Sequence, residues 1–150
     1  MSGVERWYRS VPLPNATPPP LRAVRALVAE LTADLPTEVS EDLLLVVTEL
    51  VANAYEHGAA PRSLRLERRD EHGQFVIEVD DAAPNPPVLG RSRLGGNRGR
   101  GLTIVSGVAE RWGVRALRAG KTVWAMLRVT EQPGDLQSGD LQSGGLQPSG

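Results

Sequence analysis

Apolar residues recur at three- and four-residue steps in some stretches of the chain and alternate with polar residues in others, so the pattern separates helices from strands. Leu21, Val24, Leu27, Val28 and Leu31 make one helical stripe, and Leu43, Leu44, Val46, Val47, Leu50, Val51 and Ala54 make a longer one. Pro36 divides the two, because proline breaks a helix interior. Thr17 is placed to cap the first helix, with prolines tolerated in its first turn. Thr37 or Ser40 is placed to cap the second, with Glu38, Glu41 and Asp42 near its positive end. Gly58 is expected to end that helix through a left-handed residue. Before them, Trp7 to Leu13 predicts a short strand, stopped by Pro14 and by Pro18-Pro19-Pro20.

Past Gly58 the period changes. Leu64 and Leu66 alternate with Arg65 and Glu67, and Ile77 and Val79 alternate with Glu78 and Asp80, the signature of two half-buried strands. Asp70-Glu71-His72-Gly73 supplies the turn of a hairpin between them. Asp81 to Gly101 is rich in proline and glycine and predicts a long loop, either a lid or a disordered segment. Helical spacing returns from Leu102 to Trp112, and two more strands follow, Val114 to Leu117 and Val123 to Val129, joined by Ala119-Gly120-Lys121. Together these elements predict an α+β two-layer sandwich, helices on one face of a mixed sheet. Residues 1–130 make one domain. Residues 131–150 repeat Gly-Asp-Leu-Gln-Ser and have too few apolar side chains to offset the entropy of ordering, so a disordered tail is expected.

Within the second helix stand two polar residues, Glu49 and Asn53, four apart and therefore stacked on one side. On their own they suit the solvent edge of an amphipathic helix as well as a site. Burying them requires a ligand, a metal or a hydrogen-bond network.

Composition narrows the choices. The 17 basic and 18 acidic residues nearly cancel, which argues against a polyanion-binding surface, and Arg91, Arg93, Arg98 and Arg100 stand among few aromatics. There is no cysteine, which excludes disulfides and thiolate chemistry, and the two histidines lack metal-site spacing. No apolar run is long enough to cross a bilayer. A cytoplasmic protein with neither nucleic acid nor membrane as partner is the expectation.

Two phosphate-binding motifs fail on inspection. Gly120-Lys121-Thr122 ends like a P-loop, but Arg115 stands where its first glycine belongs, and the triplet lies between strands. Gly99-Arg100-Gly101 lacks the third glycine of a dinucleotide fingerprint, with Ile104 in that place.

A different set of motifs matches in order. Glu49-Leu50-Val51-Ala52-Asn53-Ala54 with His57 resembles the N box of the GHKL ATPase/kinase superfamily, which includes gyrases, mismatch-repair ATPases and sensor histidine kinases. Val79-Asp80-Asp81-Ala82-Ala83-Pro84 resembles its first glycine box, Gly99-Arg100-Gly101-Leu102 its second, and Gly120-Lys121-Thr122-Val123-Trp124 its closing strand. The resemblance covers roughly residues 6 to 129 and is nearest to the actinobacterial branch similar to anti-sigma-factor serine kinases. The first glycine box departs from the superfamily, with Ala83 and Asn85 where glycines are expected.

The resemblance implies an ATP- and Mg²⁺-dependent serine/threonine kinase of the Bergerat fold. Asn53 would hold Mg²⁺ through its amide oxygen. Glu49 would be the catalytic base that accepts a serine hydroxyl proton, or would orient a water, at the γ-phosphate. Asp81, rather than the alternate Asp80, would accept a hydrogen bond from the adenine amino group, with Thr122 supporting it or a bridging water. His57, Ala83, Arg98, Gly99, Arg100, Gly101 and Leu102 would complete the nucleotide site. The arginines of the long loop, Arg91, Arg93, Arg98 and Arg100, suit a lid that neutralises triphosphate charge, with simple solvation as the alternative. The partners implied are a sigma factor and its anti-anti-sigma antagonist, with a homodimer as the assembly. A non-catalytic nucleotide-sensing or sequestering module is the alternative, and an ATPase without protein substrate a weaker third.

Overall fold

The two periods of the sequence become two layers. The computed structural model describes residues 6–84 and 100–129. In order these form β1 (Arg6–Leu13), α1 (Leu21–Leu31), α2 (Thr37–His57), β2 (Arg62–Arg69), β3 (Gln74–Asp81), α3 (Arg100–Val108), β4 (Arg111–Leu117) and β5 (Gly120–Arg128), with a 3-10 turn at Asp70–His72. The predicted tail and most of the predicted lid lie outside the described residues.

The strands make one five-stranded sheet in the order β1-β2-β3-β5-β4. The α+β layering is the one the sequence predicts, but the sheet is antiparallel at every described pairing rather than mixed. The reason is topological. The crossover through α3 delivers β4 running the same way as β3, and β5 then returns between them, so no two parallel strands are neighbours.

Strand alternation divides the sheet into two faces. Leu64, Leu66, Phe75, Ile77 and Ala125 point inward and are fully buried. On the outer face Arg65 lies 2.8 Å from Glu78 and 2.6 Å from Asp80, and Arg115 lies 2.7 Å from Glu78. The inner face is covered by the helices, with α2 central: it packs against both α1 and α3 and over β3 and β5. Leu43, Val46, Val47, Leu50 and Val51 of α2 have no exposed surface, and each buried side chain of this kind stabilises the fold by about 1.5–3 kcal/mol. No helix among the described residues is long and apolar enough to cross a membrane.

The helix starts differ from the sequence expectation. Prolines, not hydroxyl residues, precede both: Pro20 stands at the start of α1 and Pro36 at the start of α2, without a side-chain cap. Leu21 and Val24 instead donate to the carbonyls of Pro19 and Pro20. The Ser40 hydroxyl donates to the Thr32 carbonyl at 3.1 Å, tying α2 to the end of α1. The last helix is shorter than its periodicity suggests, because Trp112 already belongs to β4.

The β2–β3 turn is the predicted one. Gly73 closes it at φ 63°, a left-handed conformation that favours glycine, and its carbonyl receives the Val129 N–H at 2.9 Å. Nearby, Arg68 donates to both carboxylate oxygens of Asp34 at 2.8 and 2.7 Å and to Asp70 at 2.6 Å. That clamp fastens the end of α1 to the hairpin.

Candidate functional site

The apolar stripe of α2 fixes which way its polar residues face. Asn53 is 93% buried, on a stretch otherwise held by Leu50, Val51 and Ala54, and Glu49, one turn earlier, is half-buried. Burial pushes the Glu49 carboxyl above its ordinary pKa, and the charge of Glu56 adds to the shift. A carboxyl raised in this way has the character of a proton acceptor.

The last turn of α2 is pinned by Arg62 at the start of β2. Its Nε donates to the Ala54 carbonyl at 2.7 Å, and its guanidinium carbon stands 4.2 Å from the centre of the Tyr55 ring. A buried cation at the negative end of a helix is favourable. The Tyr55 hydroxyl in turn donates to the Pro14 carbonyl. His57 ends the helix half-buried, its Nε2 enclosed and without a hydrogen-bond partner among the described residues.

Gly58 leaves the helix in an extended conformation, φ −105° and ψ −170°, rather than through the expected left-handed one. Its glycine is required by contact instead. A Cβ there would lie 2.6 Å from Asp81 Oδ2. The same approach is held by the backbone, where Ala82 donates to the Ala59 carbonyl at 2.7 Å. The exit of the Glu49–Asn53 helix and the end of β3 are thus one place.

Asp81 is 97% buried at the end of β3. Its Oδ1 accepts from the Ala83 N–H at 2.7 Å and from Lys121 Nζ at 3.1 Å. Oδ2 also lies 3.1 Å from Nζ but has no aligned hydrogen bond. Lys121 itself is 1% exposed and donates to the Ala83 carbonyl at 3.3 Å. Beside it Gly120, at φ 141°, lets β5 pass so close that a side chain would overlap the Asp81 carbonyl.

The expected support of Asp81 by Thr122 is not what the register allows. Asp81 pairs with Lys121, and Asp80 pairs with Thr122, and side chains directly opposite share a face. Thr122 therefore donates to Asp80 on the outer face, together with Ser63 and Arg65. Asp81 remains on the helix side, as the sequence reading chose.

Of the other predicted residues, Ala83 contributes its N–H to Asp81. Leu102 is fully buried in the core with Val105 and anchors the first turn of α3, whose backbone begins at Arg100 and Gly101. Arg98 and Gly99 lie outside the described residues. The structure thus gathers Asp81, Ala83 and the exit of the Glu49–Asn53 helix, and sets Thr122 apart. Sequence reading missed Lys121, treating it as part of a turn. The available signal was its parity with Val123, Ala125 and Leu127, which puts a cation on the buried face.

Comparison with known proteins agrees with this fold. Residues 15–127 match the histidine kinase-like ATPase domain family. No curated protein matches the chain in sequence. Among solved structures, the RsbU and RsbW domains of Rv1364c from Mycobacterium tuberculosis superpose with a TM-score of 0.61 at 18% identity, over 85% of this chain and 33% of that one. The Erythrobacter litoralis EL346 blue-light activated histidine kinase superposes with a TM-score of 0.53 at 19% identity, over 75% of this chain and 41% of its own. The chain therefore spans well under half the length of either structure, and likeness at this identity speaks to the fold. With a family match over most of its length and the same fold in both structures, the chain belongs to the histidine kinase-like ATPase domain family.

Proposed function

We propose that this domain is an ATP- and Mg²⁺-dependent serine/threonine protein kinase that acts as a partner-switching regulator of the anti-sigma-factor type, phosphorylating a small antagonist protein. The observation that carries the reading is the joining of two features at one place: the helix bearing Glu49 and Asn53 ends against the buried carboxylate of Asp81. The similarity to a structure containing an RsbW domain supports the branch.

The residues present suit the ligand. Asp81 offers a buried carboxylate oxygen with no aligned donor, which fits the amino group of a purine. Asn53 offers an amide oxygen in apolar surroundings. Mg²⁺ takes few protein ligands and completes its shell with phosphates and water, so one amide oxygen suits it. Bound Mg²⁺-ATP supplies the phosphoryl group and the charge that neutralises it. Glu49, its proton affinity raised by burial, accepts the proton of the attacking serine hydroxyl. Asn53 would hold the metal, Asp81 would hold the purine, and the first turn of α3 would present backbone N–H groups to the phosphates. His57, Arg98, Gly99 and Arg100 complete the proposed set.

The test is transfer of labelled γ-phosphate from ATP, with Mg²⁺, to the serine of an antagonist protein captured with this chain. Label on serine that disappears with Glu49→Gln agrees with the reading. Label unchanged in that variant contradicts the assignment of the base. A second reading, sequestration of the partner without catalysis, draws on the Asp81–Lys121 pair, which satisfies Asp81 within the chain itself.

A further inference from the structure

Lys121 is among the largest fully buried side chains of the molecule, yet it carries a charge. Nothing in the motifs calls for it. Its ammonium lies 3.1 Å from each oxygen of the Asp81 carboxylate and 3.3 Å from the Ala83 carbonyl. Gly58 packs against the Asp81 carboxylate, and among the described residues Lys121 is the side chain shown bonded to it. A base that reaches this carboxylate meets an acceptor and a cationic donor side by side.

That pairing changes what the site can distinguish. A carboxylate alone accepts from the 6-amino group of adenine and repels the 6-carbonyl of guanine. With an ammonium beside it, a carbonyl oxygen has a donor, and the adjacent ring N–H of guanine has the carboxylate. Adenine needs only the carboxylate, its 6-amino group donating to Asp81. The guanine edge therefore depends on both groups and the adenine edge on one.

Resting on the nucleotide reading above, we infer that Lys121 is a specificity-determining residue of the base pocket, and that with Asp81 it admits 6-oxo purines, guanine and hypoxanthine, alongside adenine. A hydrogen bond to a charged group changes affinity by about tenfold to a hundredfold. A site that read the amino group through Asp81 alone rejects guanine far more strongly.

The experiment is calorimetric titration of the folded chain with Mg²⁺ and ATP, GTP or ITP, on wild type, Lys121→Met and Lys121→Arg. The expected result is GTP and ITP binding to wild type within about a hundredfold of ATP. In Lys121→Met the gap widens by at least about tenfold, and Lys121→Arg, which keeps the donor, restores it. ATP binding with GTP and ITP undetected in wild type overturns the inference and leaves the nucleotide reading standing. So does an equal loss for all three nucleotides in Lys121→Met. Absence of all binding removes both. Should Lys121→Met fail to fold, as loss of a partner from a buried pair can cause, the wild-type ratio decides alone.

Discussion

Gly58, the residue that ends the Glu49–Asn53 helix, lies against the carboxyl group of Asp81 so closely that there is no room for a methyl group between them. This contact joins two motifs that stand more than twenty residues apart in the chain. It also explains the glycine on steric grounds, since the backbone there is extended and open to any residue.

Gly58→Ala is expected to push Asp81 away from the helix end. Overpacking of this kind costs about 1–3 kcal/mol, to be read by chemical denaturation. ATP affinity falls with it. A variant as stable as wild type, with unchanged ATP binding, contradicts the assignment of this contact to the site.

Glu49→Gln separates catalysis from stability. Phosphoryl transfer is expected to fall by about 10²–10⁴-fold while ATP still binds. Because the Glu49 carboxyl is raised above 4.5 in the folded protein, the folded state holds the proton more tightly. Its contribution to stability is then complete below 4.5 and is lost as pH rises through the folded value. Glu49→Gln should therefore be more stable than wild type at neutral pH, with the difference vanishing in acid. The wild-type rate should rise with pH through a midpoint above 4.5. Equal stability of the two proteins at every pH counts against the burial of this carboxylate.

Arg62→Met removes the buried cation that holds the Ala54 carbonyl and stacks on Tyr55. About 2–4 kcal/mol of unfolding free energy should be lost, from a charged hydrogen bond and a cation–π contact together. The helix end that carries the site should become more exchangeable by amide hydrogen exchange. Loss of stability without faster exchange at residues 53–58 argues that Arg62 acts elsewhere.

The Arg68 clamp gives an acid-side signature. Hydrogen bonding to Arg68 holds the Asp34 carboxyl below 3.8, so its stabilisation is present above that value and is lost as pH falls through the lower folded one. Asp34 is two-thirds exposed, which limits the effect to about 1 kcal/mol or less. Asp34→Asn should show that small deficit at neutral pH and none in strong acid.

The layers of the fold were legible because both periods are strong: the Leu43 to Ala54 stripe can only be a helix with one buried face, and the Leu64 and Ile77 alternations only half-buried strands. The hairpin was legible from Gly73. Strand order was not, because the return of β5 between β3 and β4 depends on tertiary contacts that no local pattern carries. The same blindness to register placed Thr122 beside Asp81, when one residue of offset puts Lys121 there. The helix caps were misread because hydroxyl residues near prolines look like caps whether or not the chain bends to use them. Asp81 and Asp80 take opposite faces of the sheet, since only one of two adjacent strand residues can face the helices.

The central claim is that the nucleotide sits between Asn53 and Asp81, and titration of the purified protein with ATP, with and without Mg²⁺, beside Asn53→Ala and Asp81→Asn, tests it most directly. The account predicts binding strengthened by Mg²⁺, with that Mg²⁺ dependence lost in Asn53→Ala and affinity weakened about tenfold or more in Asp81→Asn under both conditions. Binding indifferent to both substitutions, or no binding at millimolar ATP, contradicts it.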